Sequence, residues 1–483
     1  MTLGVSRPDL RRFVCLAAAA LAVAAAFVAV QSRPAAAFTV ATGDPRNVSQ
    51  PAIPATCTAL SSTLAYPSSR TFSTAQETTP PDTARVQAAL NSCAGSGHTV
   101  ELKASGSNRA FLTGPLTVGS SVTLLIDAGV TLVASRDAAN YQVSGGPTCG
   151  TIASSDGGCR PLVTISGSNS GVMGTQSGGH QGLIDGRGDL DILGTTTTWW
   201  ALASSAASGG KQNNPRLIQS NGASNITIFD LSLSNSPNFH IVMNGGTGFT
   251  AWGVRILTPA NARNTDGIDP SGTDVTIANS FVEDGDDGVA IKGGSHASQN
   301  ITVENNFFWG THGISIGSET NAGVSNVLFK NNTLNGKDSS GRTSGSDNGI
   351  RIKSDSSRGG LVSTVTYNAT CTTAIKFPLM LNPFYTSATG SLIPNFQNIV
   401  VNGMKSVSSA SGASSTLEGF SSSFPLGLTL ENVQLDATKI TAKNAGIAVS
   451  NTNLSPSGTG VTVTSFKGTG SVPSCTFPSF PGL

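Results

Sequence analysis

One apolar pattern recurs along the middle of this 483-residue chain at a nearly constant spacing, and it limits the folds that the chain can adopt. Its anchors are separated by 23, 26, 26 and 26 residues and are Ile226, Phe249, Val275, Ile301 and Val327. A period of this length is the signature of a coiled repeat protein. Each repeat alternates apolar and polar residues between Gly, Asn and Ser, which is typical of short strands and turns. The sequence therefore predicts an all-β solenoid, of which a parallel β-helix is the simplest.

Asparagines follow the same period, four residues after the anchors. Asn279, Asn305 and Asn331 are 26 residues apart, as expected if they stack at one turn and hydrogen-bond from coil to coil. We interpret this ladder as structural.

Four polar clusters interrupt segments that otherwise have the pattern of buried strands. They are Asn264-Thr265-Asp266, Asp286-Asp287, His312-Gly313 and Arg351-Ile352-Lys353. Positions one period apart lie on neighbouring coils, separated by about 4.8 Å. We therefore expect the three aspartates and the histidine on successive coils of one face. The longer step to Arg351 contains a Gly/Ser/Asp-rich stretch, 335–348, which predicts a loop beside the same face.

The amino terminus predicts export. Residues 1–37 have the pattern of a secretory signal: Arg7, Arg11 and Arg12 precede an apolar run, and Ala35-Ala36-Ala37 stands before Phe38. Arg11-Arg12 leaves a twin-arginine signal as the alternative. No later stretch is apolar enough to span a bilayer. The protein is expected in the medium or the periplasm, which the sequence does not distinguish.

Six cysteines follow the predicted signal, and an oxidising compartment favours their pairing. Six cysteines allow fifteen connectivities. Proximity along the chain favours Cys57–Cys93, Cys149–Cys159 and Cys371–Cys475. Their spacing does not suit zinc, whose sites use tight pairs of ligands.

Charged residues make up only 11% of the chain, and the formal net charge is +1. A balance this close to zero excludes bulk attraction to nucleic acid or to a membrane as the main function. An anionic substrate would have to be bound by a local cluster such as Arg351 and Lys353.

Length does not require a second domain, because a solenoid grows by adding coils. Residues 38–81 are rich in Pro, Ser and Thr and are expected to be irregular. From Asp82, a good N-cap residue, apolar side chains fall at helical spacing, which predicts a short helix that caps the amino-terminal end. The parallel β-helix is expected to occupy residues 82–483 as one domain, in a monomer.

The polar clusters and their flanks resemble the polygalacturonase family of glycoside hydrolases, in particular its secreted bacterial members. The segments that carry the resemblance are 264–270 (NTDGIDP), 285–292 (GDDGVAIK), 312–319 (HGISIGSE) and 349–355 (GIRIKSD). Four such matches in the right order are highly specific. The resemblance is dense from about residue 182 to 355 and weaker from 82 to about 440.

This resemblance implies a right-handed parallel β-helix that hydrolyses the α-1,4 bonds of polygalacturonic acid, with inversion and without a metal or other cofactor. The chemistry of the residues agrees with it. Hydrolysis of a glycosidic bond needs one protonated carboxyl group for the leaving oxygen and one ionised carboxylate to activate water, roughly 6.5–9.5 Å apart in inverting enzymes. Neighbouring carboxylates can provide both states, because like charges raise one another's pKa.

The matched motifs also imply a role for each residue. Asp286 is expected to be the general acid, while Asp266 and Asp287 hold and deprotonate the water; the order of Asp286 and Asp287 stays open. One of these two must lie at a bend, which the flanking glycines favour. His312 is expected to tune the protonation of the acid. The residues expected to bind substrate are Asn264, Arg351, Lys353 and Tyr385.

The chain departs from the family pattern at Thr311, where the family has glycine before the histidine. A branched side chain there is expected to narrow the cleft or shift specificity.

Three further carboxylates, Asp269, Asp274 and Asp284, are interpreted as turn or surface groups.

Other functions remain open within and beyond this family. The enzyme could trim chain ends or attack rhamnogalacturonan, although Arg351 and Lys353 favour a galacturonate polymer. A pectate lyase would need calcium and would eliminate instead of hydrolysing. A non-catalytic carbohydrate-binding β-helix would make the clusters coincidental.

Overall fold

The strands of this protein stack in parallel into one long solenoid. A computed structural model describes residues 39–483. The 32 strands of its main sheet form a right-handed parallel β-helix, which confirms the predicted fold class. The predicted secretory signal, residues 1–37, lies outside the described residues. Within residues 39–483, no helix is both long enough and apolar enough to cross a bilayer.

Within residues 39–483, the secondary structure consists mainly of strands, with three short helices. The helices are α1 (Thr74–Thr78), α2 (Thr83–Cys93) and α3 (Trp199–Ser205), with 3-10 turns at Ala138–Tyr141 and Ala206–Ser208. The strands are β1 (Thr56–Ser61), β2 (His98–Lys103), β3 (Ala110–Thr113), β4 (Leu116–Val118), β5 (Val122–Ile126), β6 (Thr131–Ala134), β7 (Ile152–Ala153), β8 (Val163–Ile165), β9 (Ser170–Gly174), β10 (Gln176–Ser177), β11 (His180–Asp185), β12 (Lys211–Gln212), β13 (Ile218–Asn221), β14 (Ile226–Phe229), β15 (Leu231–Ser234), β16 (Ile241–Trp252), β17 (Arg255–Leu257), β18 (Ile268–Ala278), β19 (Phe281–Glu283), β20 (Val289–Ile291), β21 (Ser298–Glu304), β22 (Phe307–Trp309), β23 (Ile314–Ile316), β24 (Val324–Lys330), β25 (Thr333–Asn335), β26 (Asn348–Lys353), β27 (Leu361–Thr373), β28 (Phe377–Asn382), β29 (Asn395–Val407), β30 (Ser415–Glu418), β31 (Leu426–Leu435), β32 (Ile440–Lys443), β33 (Ala445–Thr452) and β34 (Val461–Ser465).

The repeated anchors lie directly above one another. Ile226 pairs with Phe249, Phe249 with Val275, Val275 with Ile301, and Ile301 with Val327. These side chains point inward and are almost fully buried. We call the face that carries them the anchor face. The period of 26 therefore arises because each coil presents one apolar side chain to the same level of a continuous core.

A second face, which we call the site face, carries the strands that follow the polar clusters. Its central strands are the first half of β18, then β20, β23 and β26, and their register is Ile268↔Val289↔Ile314↔Ile350. Residues that immediately precede these strands therefore lie one coil apart in a column. The third face carries a stack of aromatic rings that includes Phe281 and Phe307, whose centroids are 5.2 Å apart.

The predicted asparagines lie at turns where the backbone is left-handed. Asn279, Asn305 and Asn331 have φ between 53° and 57°, a conformation that asparagine tolerates better than most residues. Asn331 Nδ2 donates to Asn305 Oδ1 at 2.8 Å. A neighbouring, buried ladder joins Asn332 to Asn306. Coil-to-coil amide contacts thus hold these turns in register.

The amino-terminal end of the solenoid is capped by α2, which the sequence predicts. Val86, Leu90 and Cys93 of this helix are buried against the first coils. Asp82 precedes the helix, but its carboxylate accepts from Leu112 N and from Arg85 instead of capping the helix. The segment expected to be irregular also contains order: β1 pairs in parallel with β2, and α1 follows it. The expectation of irregular structure is therefore wrong for β1 and α1. Both are short polar segments without a clear periodicity, so the sequence did not predict them.

A segment at the amino terminus, residues 39–47, crosses successive coils of the anchor face. We call it the amino-terminal strap. Ala41 N donates to Thr366 Oγ1, Thr42 N to Asn326 Oδ1, and Asp44 N to Thr302 Oγ1. Arg46 Nη2 reaches Phe249 O. The strap therefore contacts several coils whose residues are far away in the sequence.

The three disulfides join the predicted pairs. Cys57–Cys93 holds β1 to the capping helix, Cys149–Cys159 closes a loop, and Cys371–Cys475 fixes the carboxyl-terminal tail. Beyond this last bond, the ring of Phe480 packs edge-on against Trp309 at 5.3 Å. All three predicted connectivities are confirmed.

Candidate active site

The polar clusters predicted from the sequence meet on the site face. Asp266 precedes β18, Asp286 and Asp287 precede β20, and His312 precedes β23, so these residues lie on successive coils. Backbone hydrogen bonds run up the same column, from Gly267 N to Asp287 O and from Gly288 N to Gly313 O. Arg351 and Lys353 are in β26, one coil above His312.

Asp286 and His312 form the most accessible part of this cluster. His312 Nδ1 lies 2.8 Å from Asp286 Oδ1, and Asn264 Nδ2 donates to Asp286 Oδ2 at 3.1 Å. The side chains of Asp286 and His312 are 14% and 16% exposed, whereas that of Asp287 is 1% exposed. Asp286 is therefore the carboxyl group that a substrate in the cleft would meet first.

Asp286 and Asp287 are adjacent in sequence yet serve the same site, because the chain bends between Glu283 and Val289. Asp286 N donates to Asp284 Oδ1 at 2.9 Å, and Asp287 N donates to Asp286 Oδ1 at 3.0 Å. These bonds fix the bend that the flanking glycines predict.

Asp287 is held by cations from β26. Lys353 Nζ lies 2.6 Å from Asp287 Oδ2, and Arg351 Nη1 lies 3.3 Å from Asp287 Oδ1. Ser315 Oγ donates to the same Oδ1 at 2.8 Å. Burial alone would raise the pKa of Asp287, but Lys353 and Arg351 hold it below its ordinary value. Asp287 is therefore an ionised carboxylate with both oxygens engaged.

The other two carboxyl groups have opposite electrostatic settings. Burial, together with the nearby carboxylates of Asp286 and Asp269, raises the pKa of Asp266 well above its ordinary value. Its Oδ1 is buried without a hydrogen-bond partner. Burial would also raise the pKa of Asp286, but His312, Lys353 and Arg351 together lower it below its ordinary value. The site thus combines a carboxyl group that favours its proton with two that favour ionisation.

Tyr385 lies beside the two cations. Its ring centroid is 5.4 Å from Arg351 Cζ and 5.0 Å from Lys353 Nζ, and the side chain is 40% exposed. All eight candidate residues predicted from the sequence are therefore together at this site: Asn264, Asp266, Asp286, Asp287, His312, Arg351, Lys353 and Tyr385.

Asp269, which the sequence predicts to be a turn or surface group, is instead buried in β18 next to the site. Asp284 does lie at a bend, where it accepts from Asp286 N, but it is buried as well. Asp269 is 3% exposed and Asp284 is fully buried. Burial raises the pKa of Asp269 to about 7, with Lys292 opposing the shift. Asp269 follows Asp266 by three residues, and nothing in this spacing predicts from the sequence that Asp269 is buried. Asp274 lies at a left-handed bend within β18, where its Oδ1 accepts from Asn300 Nδ2.

Thr311 does not narrow the cleft, because it points into the protein and is only 3% exposed. Its Oγ1 accepts from Gly313 N at 3.1 Å, across the turn that carries His312. The predicted effect on the cleft is therefore wrong, and the threonine supports the His312 turn instead.

The donor atoms of Asp286, Asp287 and His312 lie within 4.8 Å of one another, so this triplet could hold a metal ion. Two features oppose that use. Lys353 and Arg351 already neutralise Asp287, and their positive charges would repel a cation. The donor set therefore does not fit a metal ion well.

His240 lies beneath the site and gives a testable pH dependence. It is fully buried; Nδ1 contacts Thr265 O and Asp266 O, and Nε2 lies 2.9 Å from Thr258 Oγ1. Burial lowers the pKa of His240 to about 4 from an ordinary 6.5. Between these values the folded state binds fewer protons than the unfolded state, so stability falls as pH falls.

The expected result is that His240→Gln destabilises the protein less at pH 4.5 than at pH 7.5. The difference in unfolding free energy between wild type and variant should shrink by about 2–3 kcal/mol, because only the wild type resists protonation there. Chemical denaturation at the two pH values measures this. His98→Gln, an exposed histidine, serves as the control, and a difference that does not change with pH contradicts the assignment.

Comparison with known proteins gives consistent matches. The model of the family described as Glycosyl hydrolases family 28 matches residues 109–469. A polygalacturonase of Ralstonia nicotianae is 38% identical over 477 residues, covering 88% of this chain and 86% of that protein. An endo-polygalacturonase of Pectobacterium carotovorum subsp. carotovorum is 39% identical over 397 residues, covering 81% and 90%. The solved structure of a polygalacturonase from Erwinia carotovora ssp. carotovora superposes with a TM-score of 0.73 at 38% identity, covering 84% of this chain and 99% of that one.

Proposed function

The chain belongs to family 28 of the glycosyl hydrolases, and from this premise we propose that it hydrolyses the α-1,4 bonds of polygalacturonic acid within the polymer, with inversion and without a metal. Two relatives that match most of the chain carry the names polygalacturonase and endo-polygalacturonase. The single observation that carries the proposal is the pair of cations, Arg351 and Lys353, fixed beside Asp287 and Tyr385 at the accessible acid. A carboxylated sugar is the substrate that such a pair selects.

Asp286 is proposed as the general acid because it faces the cleft. It gives its proton to the leaving glycosidic oxygen as the bond to the anomeric carbon breaks. A water molecule held by Asp266 and Asp287 attacks the same carbon, and one of these carboxylates takes the proton that the water loses. The products together gain one water molecule, and the acid regains its proton for the next cycle.

The low pKa of Asp286 in the free enzyme needs a physical explanation, because an acid must carry a proton. Burial raises this pKa, whereas His312 and then Lys353 and Arg351 lower it. A galacturonate carboxylate bound between these cations would neutralise them and so raise the pKa of Asp286 when substrate is present. The His312 Nδ1–Asp286 contact of 2.8 Å also keeps a proton within transfer distance.

Inversion requires room for water between acid and base. Asp286 and Asp287 place their nearest oxygens within 4.8 Å, closer than the roughly 6.5–9.5 Å that is typical of inverting carboxyl pairs. Asp266, on the coil next to Asp287, is therefore proposed as the second group that positions the water. Its elevated pKa would fall once a cationic or hydrogen-bonded partner occupies its free Oδ1.

Export is also part of the proposal. The predicted signal at residues 1–37 and the three disulfides agree with an oxidising compartment. We propose that the enzyme acts outside the cell as a monomer.

Digestion of polygalacturonic acid in EDTA tests the function, with viscosity, reducing ends and ultraviolet absorbance followed together. A rapid fall in viscosity with new reducing ends and no unsaturated product is expected. Slow viscosity loss with release of monomer would instead show an enzyme that trims chain ends. Unsaturated product, or dependence on calcium, would show a lyase. Proton NMR of the first product distinguishes inversion, which yields the β-anomer, from retention.

Lys353→Ala is expected to affect both binding and turnover. KM for polygalacturonic acid should rise roughly 10- to 100-fold, since a charged hydrogen bond to the substrate is lost. Loss of the 2.6 Å contact should also raise the pKa of Asp287, so the acid limb of the kcat profile moves to higher pH. Steady-state kinetics across pH measure both effects. Lys330→Ala, which removes an exposed lysine on the anchor face, is the control, and an unchanged KM contradicts the role.

A further inference from the structure

A groove extends from the catalytic cluster toward the amino-terminal coils. It is made of two adjoining cavities of about 690 and 370 Å³. The larger cavity reaches Asn264 and Tyr385 at the catalytic end, and both cavities share Arg216 and Phe239 in their walls. The groove therefore offers room for sugars on the amino-terminal side of the catalytic residues.

The walls of this groove carry more cations than carboxylates, although the whole chain is nearly neutral. The charged lining residues comprise five cations and three carboxylates, namely Lys211, Arg216, Arg263, Lys292 and Arg358 against Asp156, Asp269 and Glu319. A local excess of positive charge in a groove favours an anionic polymer.

Two of these cations are already paired within the protein. Lys292 Nζ lies 3.9 Å from Asp269 Oδ2 and 3.7 Å from Glu319 Oε2, and Arg358 Nη1 lies 3.0 Å from Glu319 Oε1. Their charges balance buried or half-buried carboxylates. Their positive charges are therefore partly neutralised before any substrate binds.

Arg216 is fixed in position but has no carboxylate within 4 Å among residues 39–483. Its guanidinium carbon lies 5.0 Å from the centroid of Phe239, and Nη1 donates to Gln219 Oε1 at 2.8 Å. The side chain is half-buried. An arginine held by stacking and one amide retains free donors for a planar carboxylate.

Backbone hydrogen bonds place Arg216 relative to the catalytic column. Leu217 N donates to Phe239 O, and His240 N donates to Asp266 O. Arg216 therefore lies two coils before Asp266, or about 10 Å along the solenoid axis. Arg351 lies on the other side, three coils after the start of β18. A polymer lying along the axis would cross the catalytic residues and contact both arginines.

We propose that Arg216 binds a second galacturonate carboxylate, on the opposite side of Asp286 from Arg351 and Lys353. This assignment rests on the proposed function and adds a requirement to it. Productive binding needs a free carboxylate at two separate sugars, so Arg216 selects stretches of the polymer that are not methyl-esterified. Esterification of the sugar at Arg216 would remove the charge that its fork recognises.

Binding in an inactive background tests Arg216 without relying on turnover. The affinity of Asp286→Asn for an oligogalacturonate that spans the groove is compared by calorimetry with that of Asp286→Asn/Arg216→Gln. The added Arg216→Gln substitution should weaken binding roughly 10- to 100-fold. The same oligomer with methyl-esterified carboxylates should show no such difference. Equal weakening for both oligomers, or none for either, overturns the assignment.

Kinetics in the otherwise native enzyme separate this assignment from the proposed function. Arg216→Gln should raise KM for polygalacturonic acid with little change in kcat, and Arg216→Lys should give a smaller rise because it keeps the charge. Arg109→Gln, which removes an exposed arginine outside the groove, should leave KM unchanged. A wild type that does not cleave polygalacturonic acid overturns the proposed function. A cleaving wild type whose KM is unaffected by Arg216→Gln overturns the role of Arg216 alone.

Discussion

Asp286→Asn is expected to lower kcat on polygalacturonic acid about 100- to 10,000-fold, while the affinity for substrate is retained. An amide has the shape of the carboxyl group but cannot deliver a proton to the leaving oxygen, and general acid catalysis contributes a factor of this size. Arg351 and Lys353, which bind the substrate carboxylates, lie on another coil, and their contacts with substrate remain in the variant. Release of reducing ends gives kcat, and calorimetry with an oligogalacturonate gives the affinity.

Asp274→Asn is the matched control for this loss. It makes the same chemical change at a bend of the anchor face, where the backbone is left-handed and the side chain already pairs with Asn300. Its activity should equal that of the wild type. If Asp286→Asn keeps more than about a tenth of wild-type kcat, another group donates the proton, and Asp266, whose pKa is raised by burial, becomes the candidate.

Glu77→Ala is expected to destabilise the fold by about 3–5 kcal/mol, the usual cost of leaving one member of a buried ion pair alone. Glu77 and Arg187 are both fully buried, with Arg187 Nη1 and Nη2 at 2.7 and 2.9 Å from the carboxylate. Glu77 Oε2 also accepts from Arg136 N. Removing the carboxylate leaves the Arg187 charge uncompensated between the amino-terminal cap and the first coils. Guanidinium denaturation measures the loss.

The pair also predicts the direction of a pH effect. Burial would raise the pKa of Glu77, but Arg187 lowers it below 4.5, so its contribution is present above that pH and is lost as pH falls further. Glu304→Ala, which breaks an exposed pair with Lys330, should cost no more than about 1 kcal/mol. If both substitutions cost the same, the buried pair contributes no more than a surface pair.

The fold was predictable because burial repeats in the sequence. Ile226, Phe249, Val275, Ile301 and Val327 each occupy the same level of successive coils, so a period in sequence is a register in space. The column of candidate site residues followed from the same period, because polar residues that interrupt equivalent strands must lie above one another. Family resemblance supplied the roles, which the spacing alone does not give.

Other features depend on contacts that have no period. Asp269 and Asp284 resemble turn residues in the sequence, and only the packed coils show that they are buried. The pairing of β1 with β2 joins residues about 40 apart through a short polar strand with no apolar alternation. The side chain of Thr311 points inward because its hydroxyl accepts from Gly313 N, an orientation that a motif comparison does not contain.

The amino-terminal strap has a consequence for the order in which the protein assembles. Thr39 O accepts from Asn398 Nδ2, 359 residues later, and Ala41 N contacts Thr366. The strap leaves the ribosome early, yet the coils that receive it are made near the end of synthesis. All of its contacts can therefore form only after the chain has been made as far as residue 398. Contacts of such long range form slowly, so the strap is expected to join the fold late.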